Sequence, residues 1–383
     1  MPSILEKLGV RSVINAWGTV TKLGGSVLDE DIIDAMREAS TVYLDMDELH
    51  VKAGRYVAGL LGAEDAYITS GAGAGMVLAI ASCISNGDIE TIAELPFPET
   101  SRVEVIMQAV HRNAYDSLIQ IAGGRTVIVG SEGLTTRSDI EKAISDKTAA
   151  VMYFDYEPLD GALPLDSVIA IAHARSVPVI VDAAAELPPA SNLAKHISLD
   201  ADAVLFSVGK DMGGPNDVGI VVGRRHLIET CRNMGPHSIA RCKGKGRAFV
   251  GRPMKTSKED ILAAVRAIER YSVIDHDARV MDWNARAENM CEKLSKIPSM
   301  SCRVITTGTV RPMEHPRPRI VPRVEVNIIR GKLSNAELFE HLKSGYRPIY
   351  AYMADGLLYI NPQCLRNEED EFIVERIRQT LED

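Results

Sequence analysis

The chain has 383 residues, a formal net charge of −9, and 46% hydrophobic, 25% charged and 5% aromatic residues. That length exceeds what one small core fills, so two substructures are expected, in a composition ordinary for a globular protein. The acidic balance leaves no electrostatic footprint for nucleic acid or an anionic membrane. The six cysteines show neither C-x-x-C nor metal-like spacing with histidine, no metal is expected, and no signal peptide or apolar run of about 18 residues is present. A reducing cytoplasm is the expected compartment.

In chain order, strand-like segments fall near 65–69, 103–107, 126–129, 149–154, 178–181, 203–207 and 218–222. Helical patterns fill gaps such as 113–122, 138–145 and 165–175, which is the alternation of an α/β protein with a mostly parallel sheet. The first strand runs into Thr69-Ser70-Gly71-Ala72-Gly73-Ala74-Gly75, followed by an apolar helix from Met76 to Ile84. Small residues at a helix N-terminus let an anion approach free backbone N–H groups, although Gly-Ala-Gly also serves tight helix–sheet packing. The stretch lacks the Gly-Lys-Ser/Thr of a P-loop and a strict dinucleotide fingerprint.

The strand Pro178-Val-Ile-Val181 ends in Asp182. In an open parallel sheet ligands bind beyond the carboxyl ends of the strands, and a carboxylate there can hold a pyridine nitrogen protonated, as pyridoxal phosphate (PLP) requires. The alternative is a cap for the Ala-rich turn that follows. Lys210 comes 28 residues later, between the apolar runs ending at Ser207 and starting at Val218. A lone Gly-Lys reads as a turn lysine. Paired with Asp182 it reads as a Schiff-base amine, and Ser207 would add a hydroxyl to the same phosphate. Further on, Ile261, Leu262, Val265 and Ile268 mark an amphipathic helix over 259–271. Strands near 302–306, 322–329 and 357–361 then predict a smaller α+β part, interrupted by the Pro/Arg-rich stretch 311–323.

The ordered set Thr-Ser-Gly-Ala-Gly, Val-Asp182-Ala-Ala-Ala-Glu-Leu-Pro-Pro and Phe-Ser207-x-Gly-Lys210-x-x-Gly-Gly-Pro resembles PLP enzymes of the aspartate-aminotransferase fold (fold type I). More narrowly, the chain is similar to the branch containing bacterial selenocysteine synthase and the D-glucosaminate-6-phosphate ammonia-lyases. Ile14-Asn15-Ala16-Trp17-Gly18 with Leu23-Gly24, Gln108-Ala-Val-His111-Arg112-Asn113 and Gly251-Arg252-Pro-Met-Lys255-Thr-Ser-Lys258 carry that likeness. It covers residues 10 to 275 well and the remainder loosely.

The resemblance implies that Lys210 carries PLP as a Schiff base and that Asp182 pairs with the ring nitrogen. It places Ser70, Gly71, Gly73 and Ser207 at the phosphate and His111 over the cofactor face. Tyr115 is either a second site residue or core. Arg317, Arg319 and Arg323 are candidates for a substrate carboxylate, and the 251–258 segment for phosphate contacts across a dimer interface. The implied architecture is an N-terminal segment 1–45, a PLP-binding domain 46–258 with a seven-stranded sheet, and a small domain 259–383. The activity implied is α,β-elimination with ammonia release from a hydroxylated amino acid or an amino-sugar acid, in a homodimer or larger homo-oligomer. Racemase and aldolase chemistry share the same first step. Selenium transfer onto seryl-tRNA is disfavoured by the acidic charge, by a start almost directly at Ile14, and by Gly25-Ser26 where the transferases have Gly-Arg. A PLP-binding protein without turnover is disfavoured by the intact Asp182–Lys210 pair.

Overall fold

The computed structural model describes residues 3–155, 159–236, 248–306 and 320–382. The chain forms two compact units: Ser26–Ile274, and Met1–Gly25 together with Asp275–Asp383. These limits differ from the 45/46 and 258/259 divisions read from sequence, for a packing reason. Ile32 of helix Glu30–Ser40 is buried in one cluster with Ile261, Ala264 and Ile268 of helix Lys258–Val273. An Arg266–Asp31 ion pair of 3.1 Å links the same two helices.

The larger unit is built on seven strands: β1 Asp65–Thr69, β2 Glu104–Gln108, β3 Arg125–Val129, β4 Thr148–Phe154, β5 Val179–Asp182, β6 Ala203–Ser207 and β7 Gly219–Gly223. Their spatial order is β1-β7-β6-β5-β4-β2-β3. Pairing is parallel except for β7, which runs antiparallel to both β1 and β6. The mostly parallel α/β sheet anticipated from sequence is therefore present, with each strand within two residues of its expected limits.

Successive side chains in a strand point to opposite faces, and a sheet covered on both faces needs apolar residues at every position. Val151, Tyr153, Val179, Val181, Val204 and Phe206 pack on one face with residues such as Val57 and Ile268. Met152, Phe154, Ile180, Leu205 and Val221 pack on the other with Leu78, Ile84 and Leu227. Helix Gly71–Ser85 is buried without a break from Gly75 to Ser85. This explains why its sequence shows an unbroken apolar run rather than an amphipathic stripe.

Because β1, β2, β4, β5 and β6 all point the same way, their carboxyl ends lie along one edge of the sheet. The antiparallel β7 starts at that edge, with Gly219 opposite both Thr69 and Ser207. The smaller unit contains an antiparallel sheet of Met300–Ile305, Arg323–Ile328, Leu357–Ile360 and Tyr352–Ala354. Its N-terminal segment joins through Ile14 and Asn15, which pair in parallel with Ile349 and Tyr350.

Gly219 has no room for a side chain. A Cβ there would stand 2.3 Å from the Ala72 nitrogen and 2.5 Å from the Gly71 carbonyl carbon. Gly219→Ala is expected to lower unfolding free energy by about 1–3 kcal/mol, measured by denaturant titration. An unchanged midpoint contradicts this packing.

Candidate functional site

Ser70, Gly71, Gly73, His111, Asp182, Ser207 and Lys210, the residues expected around PLP, lie in the larger unit, at the strand-end edge just described. Asp182 is the last residue of β5 and pairs in register with Phe154 of β4 and Leu205 of β6. Its carboxylate accepts the Ala184 N–H at 2.9 Å, so it caps the following turn. Burial is the main influence on Asp182 and pushes its pKa up; the Asp155 charge adds to this, and the Ala184 N–H and Lys210 oppose it.

Lys210 lies on the short loop joining β6 to the antiparallel β7. Gly209 makes this loop tight, since a Cβ there would meet the Asn216 Cα at 2.4 Å. Burial pulls the Lys210 pKa down from 10.5, with Asp182 and then Glu186 opposing the shift. Among the described residues, no ion pair within 4.0 Å and no hydrogen bond engages its amine. Two groups of opposite charge thus stand at the ends of adjacent strands, and each is discouraged from ionising by its surroundings. Such pairs of shifted groups mark functional sites more often than bulk surface.

At the β1 end of the same edge, Ser70 is the N-cap of helix Gly71–Ser85 and makes no capping bond with its side chain. Gly71 has φ +85°, a left-handed conformation that favours glycine. Residues 70–74 are half-buried while the rest of the helix is buried. The first turn therefore presents amide groups and the Ser70 hydroxyl to an open face, the arrangement that receives a phosphate. Ser207 is half-buried at the end of β6, facing Gly219 across the ladder from Thr69.

His111 follows β2 on a single turn, Ala109–His111, and is fully buried. Its ring meets Tyr153 edge-on at 4.5 Å between centroids, and its Nδ1 accepts the Phe154 N–H at 3.5 Å. It stands beside the strand end that carries Asp182's neighbour. Tyr115 is 54% exposed, so it does not pack in the core. In the 251–258 segment, Lys258 donates to the Ala39 carbonyl at 2.5 Å and pairs with Glu259. That lysine is committed within its own unit, while Lys255 is exposed. Arg317 and Arg319 lie outside the described residues. Arg323 is fully buried in the smaller unit and donates to the Val321 and Pro322 carbonyls.

Sequence reasoning missed a layer behind Asp182. Asp155 follows β4 and is buried, and its N–H donates to the Asp182 carbonyl at 3.0 Å. Its carboxylate meets His196 Nε2 at 2.6 Å, and Lys195 Nζ stands 3.6 Å away. The one available signal was that Asp155, like Asp182, ends an apolar strand.

The described residues fit PLP: a half-open helix start for a phosphate, a desolvated amine for an aldehyde, and a strand-end carboxylate for a ring nitrogen. A family model described as "SelA: L-seryl-tRNA selenium transferase" matches residues 13–366. The chain belongs to the SelA family. It is 32% identical over 390 residues to a D-glucosaminate-6-phosphate ammonia lyase from Salmonella typhimurium, covering 100% of this chain and 98% of that one. It is 31% identical over 389 residues to a 5'-C-glycyluridine monooxygenase-decarboxylase from a Streptomyces species, covering 99% and 92%. A solved D-glucosaminate-6-phosphate ammonia-lyase superposes with a TM-score of 0.83 at 29% identity, covering all of both chains. An aspartate aminotransferase from Thermotoga maritima, at 14% identity and a TM-score of 0.53, shares the fold. This SelA-family chain is thus a fold-type I protein, as its motifs implied.

The lowered Lys210 pKa has a stability consequence. In the cofactor-free protein the unfolded state binds the lysine proton more tightly, so stability rises with pH from the folded pKa up to 10.5. Lys210→Met removes the desolvated charge. Its expected effect is a higher melting temperature near neutral pH, a gain that fades as pH approaches 10.5. A difference between variant and wild type that stays constant with pH contradicts the desolvation.

Proposed function

We propose that the protein is a PLP-dependent ammonia-lyase that eliminates across the α and β carbons of a small hydroxylated amino acid, a 2-amino-2-deoxy sugar acid or its 6-phosphate. The observation that carries this reading is the full-length similarity to D-glucosaminate-6-phosphate ammonia-lyases in both sequence and fold. PLP, when bound, supplies an electron sink for the charge left at a substrate α-carbon. Lys210 would hold its aldehyde carbon through Nζ, and Asp182 would hold a proton at its ring nitrogen. The amides of Gly71 and Gly73 with the Ser70 and Ser207 hydroxyls would take its phosphate, and His111 would lie against its ring.

Lys210 does most of the proton work. Burial raises the neutral fraction of its amine near pH 7 and so readies Nζ to take the substrate α-proton. Asp182 sits close enough to counter that shift electrostatically, so each group tunes the other. Removal of the α-proton followed by loss of the β-hydroxyl leads, after hydrolysis, to a 2-keto acid and ammonia. The net reaction consumes no second substrate, which separates it from amino transfer.

We further propose a cytoplasmic homo-oligomer. No helix among the described residues is long and apolar enough to cross a membrane. Val27, Tyr43 and Phe97 are exposed apolar side chains that would leave water if a second copy covered them.

Incubation with PLP and D-glucosaminate 6-phosphate is expected to release ammonia and a keto acid in equal amounts. Lys210→Ala should abolish turnover, and Asp182→Asn should slow it by about 100-fold or more. Carbon dioxide release with oxygen uptake, and no ammonia, would instead favour the chemistry named for the Streptomyces relative. An α-proton exchanged without ammonia would favour a racemase.

A further inference from the structure

Two contacts hold this loop, one at the Lys210 backbone and one at the Asp211 side chain, and neither comes from the site residues above. Ser26 Oγ donates to the Lys210 carbonyl at 2.6 Å. The same carbonyl accepts the Gly213 N–H at 3.0 Å, which closes the loop on itself. One residue on, the buried Asp211 carboxylate accepts the Tyr271 hydroxyl at 2.7 Å, and Tyr271 is itself fully buried. Ser26 and Tyr271 are 245 positions apart in sequence, yet they reach consecutive residues of one loop.

Their supports are joined to each other. Tyr271 lies on helix Lys258–Val273, and Ser26 lies four residues before helix Glu30–Ser40. Arg270 of the first helix pairs with Asp29, the N-cap of the second, and Arg266 pairs with Asp31 at 3.1 Å. Gly24 and Gly25 precede Ser26 with φ values of +84° and +72°. Two consecutive left-handed residues demand glycine and turn the chain toward the loop. The Leu-Gly-Gly-Ser segment, noted in the sequence only as a resemblance, thus has a local purpose. Ser26 is also the first residue of the larger unit, and helix Lys258–Val273 is its last helix.

We infer that Ser26 and Tyr271 are positioning residues for Lys210, fixing from two sides the loop backbone from which its amine projects. The inference rests on Lys210 being the reactive amine. A lysine side chain has four rotatable bonds and seeks water, so a desolvated amine keeps its place only where its backbone cannot drift. The charged groups facing the amine are Asp182, at the end of β5, and Glu186, in the segment after it. Asp211 is turned to Tyr271.

The test is the pH midpoint of Lys210 reactivity in the cofactor-free protein, read as the rate of amine labelling at that residue by peptide mass spectrometry. It is run on wild type, Ser26→Ala, Ser26→Thr and Tyr271→Phe, beside circular dichroism and a PLP titration. Loosening the loop lets the amine reach water. Ser26→Ala and Tyr271→Phe are expected to fold, to raise the midpoint toward 10.5, and to weaken PLP binding by about 2- to 10-fold. Ser26→Thr, which keeps the hydroxyl, should restore the wild-type midpoint. Wild-type midpoints in both Ser26→Ala and Tyr271→Phe overturn the inference, as does a Ser26→Ala shift that threonine fails to reverse. If Ser26→Ala does not fold, Tyr271→Phe decides alone. A wild-type chain that binds no PLP overturns the functional reading instead, and the midpoint still decides the clamp.

Discussion

Asp182 ends one strand and Lys210 lies on the loop after its parallel neighbour, in surroundings that oppose charge on both. Much of the larger unit can be understood as what it takes to keep that pair in place. Burying a carboxylate or an amine without a full partner is costly, so a fold that does so must hold the groups with contacts made elsewhere. Here those contacts are the two apolar faces of the sheet, the tight loop after β6, and the polar layer of Asp155, His196 and Lys195 behind Asp182. Neither group is neutralised by a close ion pair among the described residues, which leaves both available to a ligand.

The sheet direction makes the rest of the site inexpensive to assemble. Parallel strands place every carboxyl end on one edge, and the antiparallel β7 brings Gly219 between Thr69 of β1 and Ser207 of β6. The missing side chain at Gly219 lets the first turn of the buried helix settle on the sheet. A helix start with no side-chain cap is a weak point in a structure unless something else satisfies its amides, as a bound anion can. Chemistry and packing therefore ask for the same small residues at 71–75.

Much of this was legible in the sequence because the signals are local. Short apolar runs mark strands, and the seven expected on that basis lie within two residues of those observed. Asp182 and Lys210 stood out as charges interrupting such runs. Contacts made at long sequence separation were not legible. Nothing in the neighbourhood of Ser26 shows that its hydroxyl ends on the Lys210 carbonyl, and the Tyr271 hydroxyl is hidden in an ordinary amphipathic helix. The limits of the larger unit at Ser26 and Ile274 depend on such a contact as well. The helix from Lys258 reads as a lead into a second domain until its packing on Ile32 is seen.

The proposed chemistry depends on one covalent event at one residue. Incubating the protein with PLP, reducing it with borohydride and mapping the adduct by peptide mass spectrometry tests this most directly. The cofactor's mass is expected on the peptide containing Lys210 and on no other, with loss of the adduct in Lys210→Ala. An adduct at another lysine, or none at all, would contradict that chemistry.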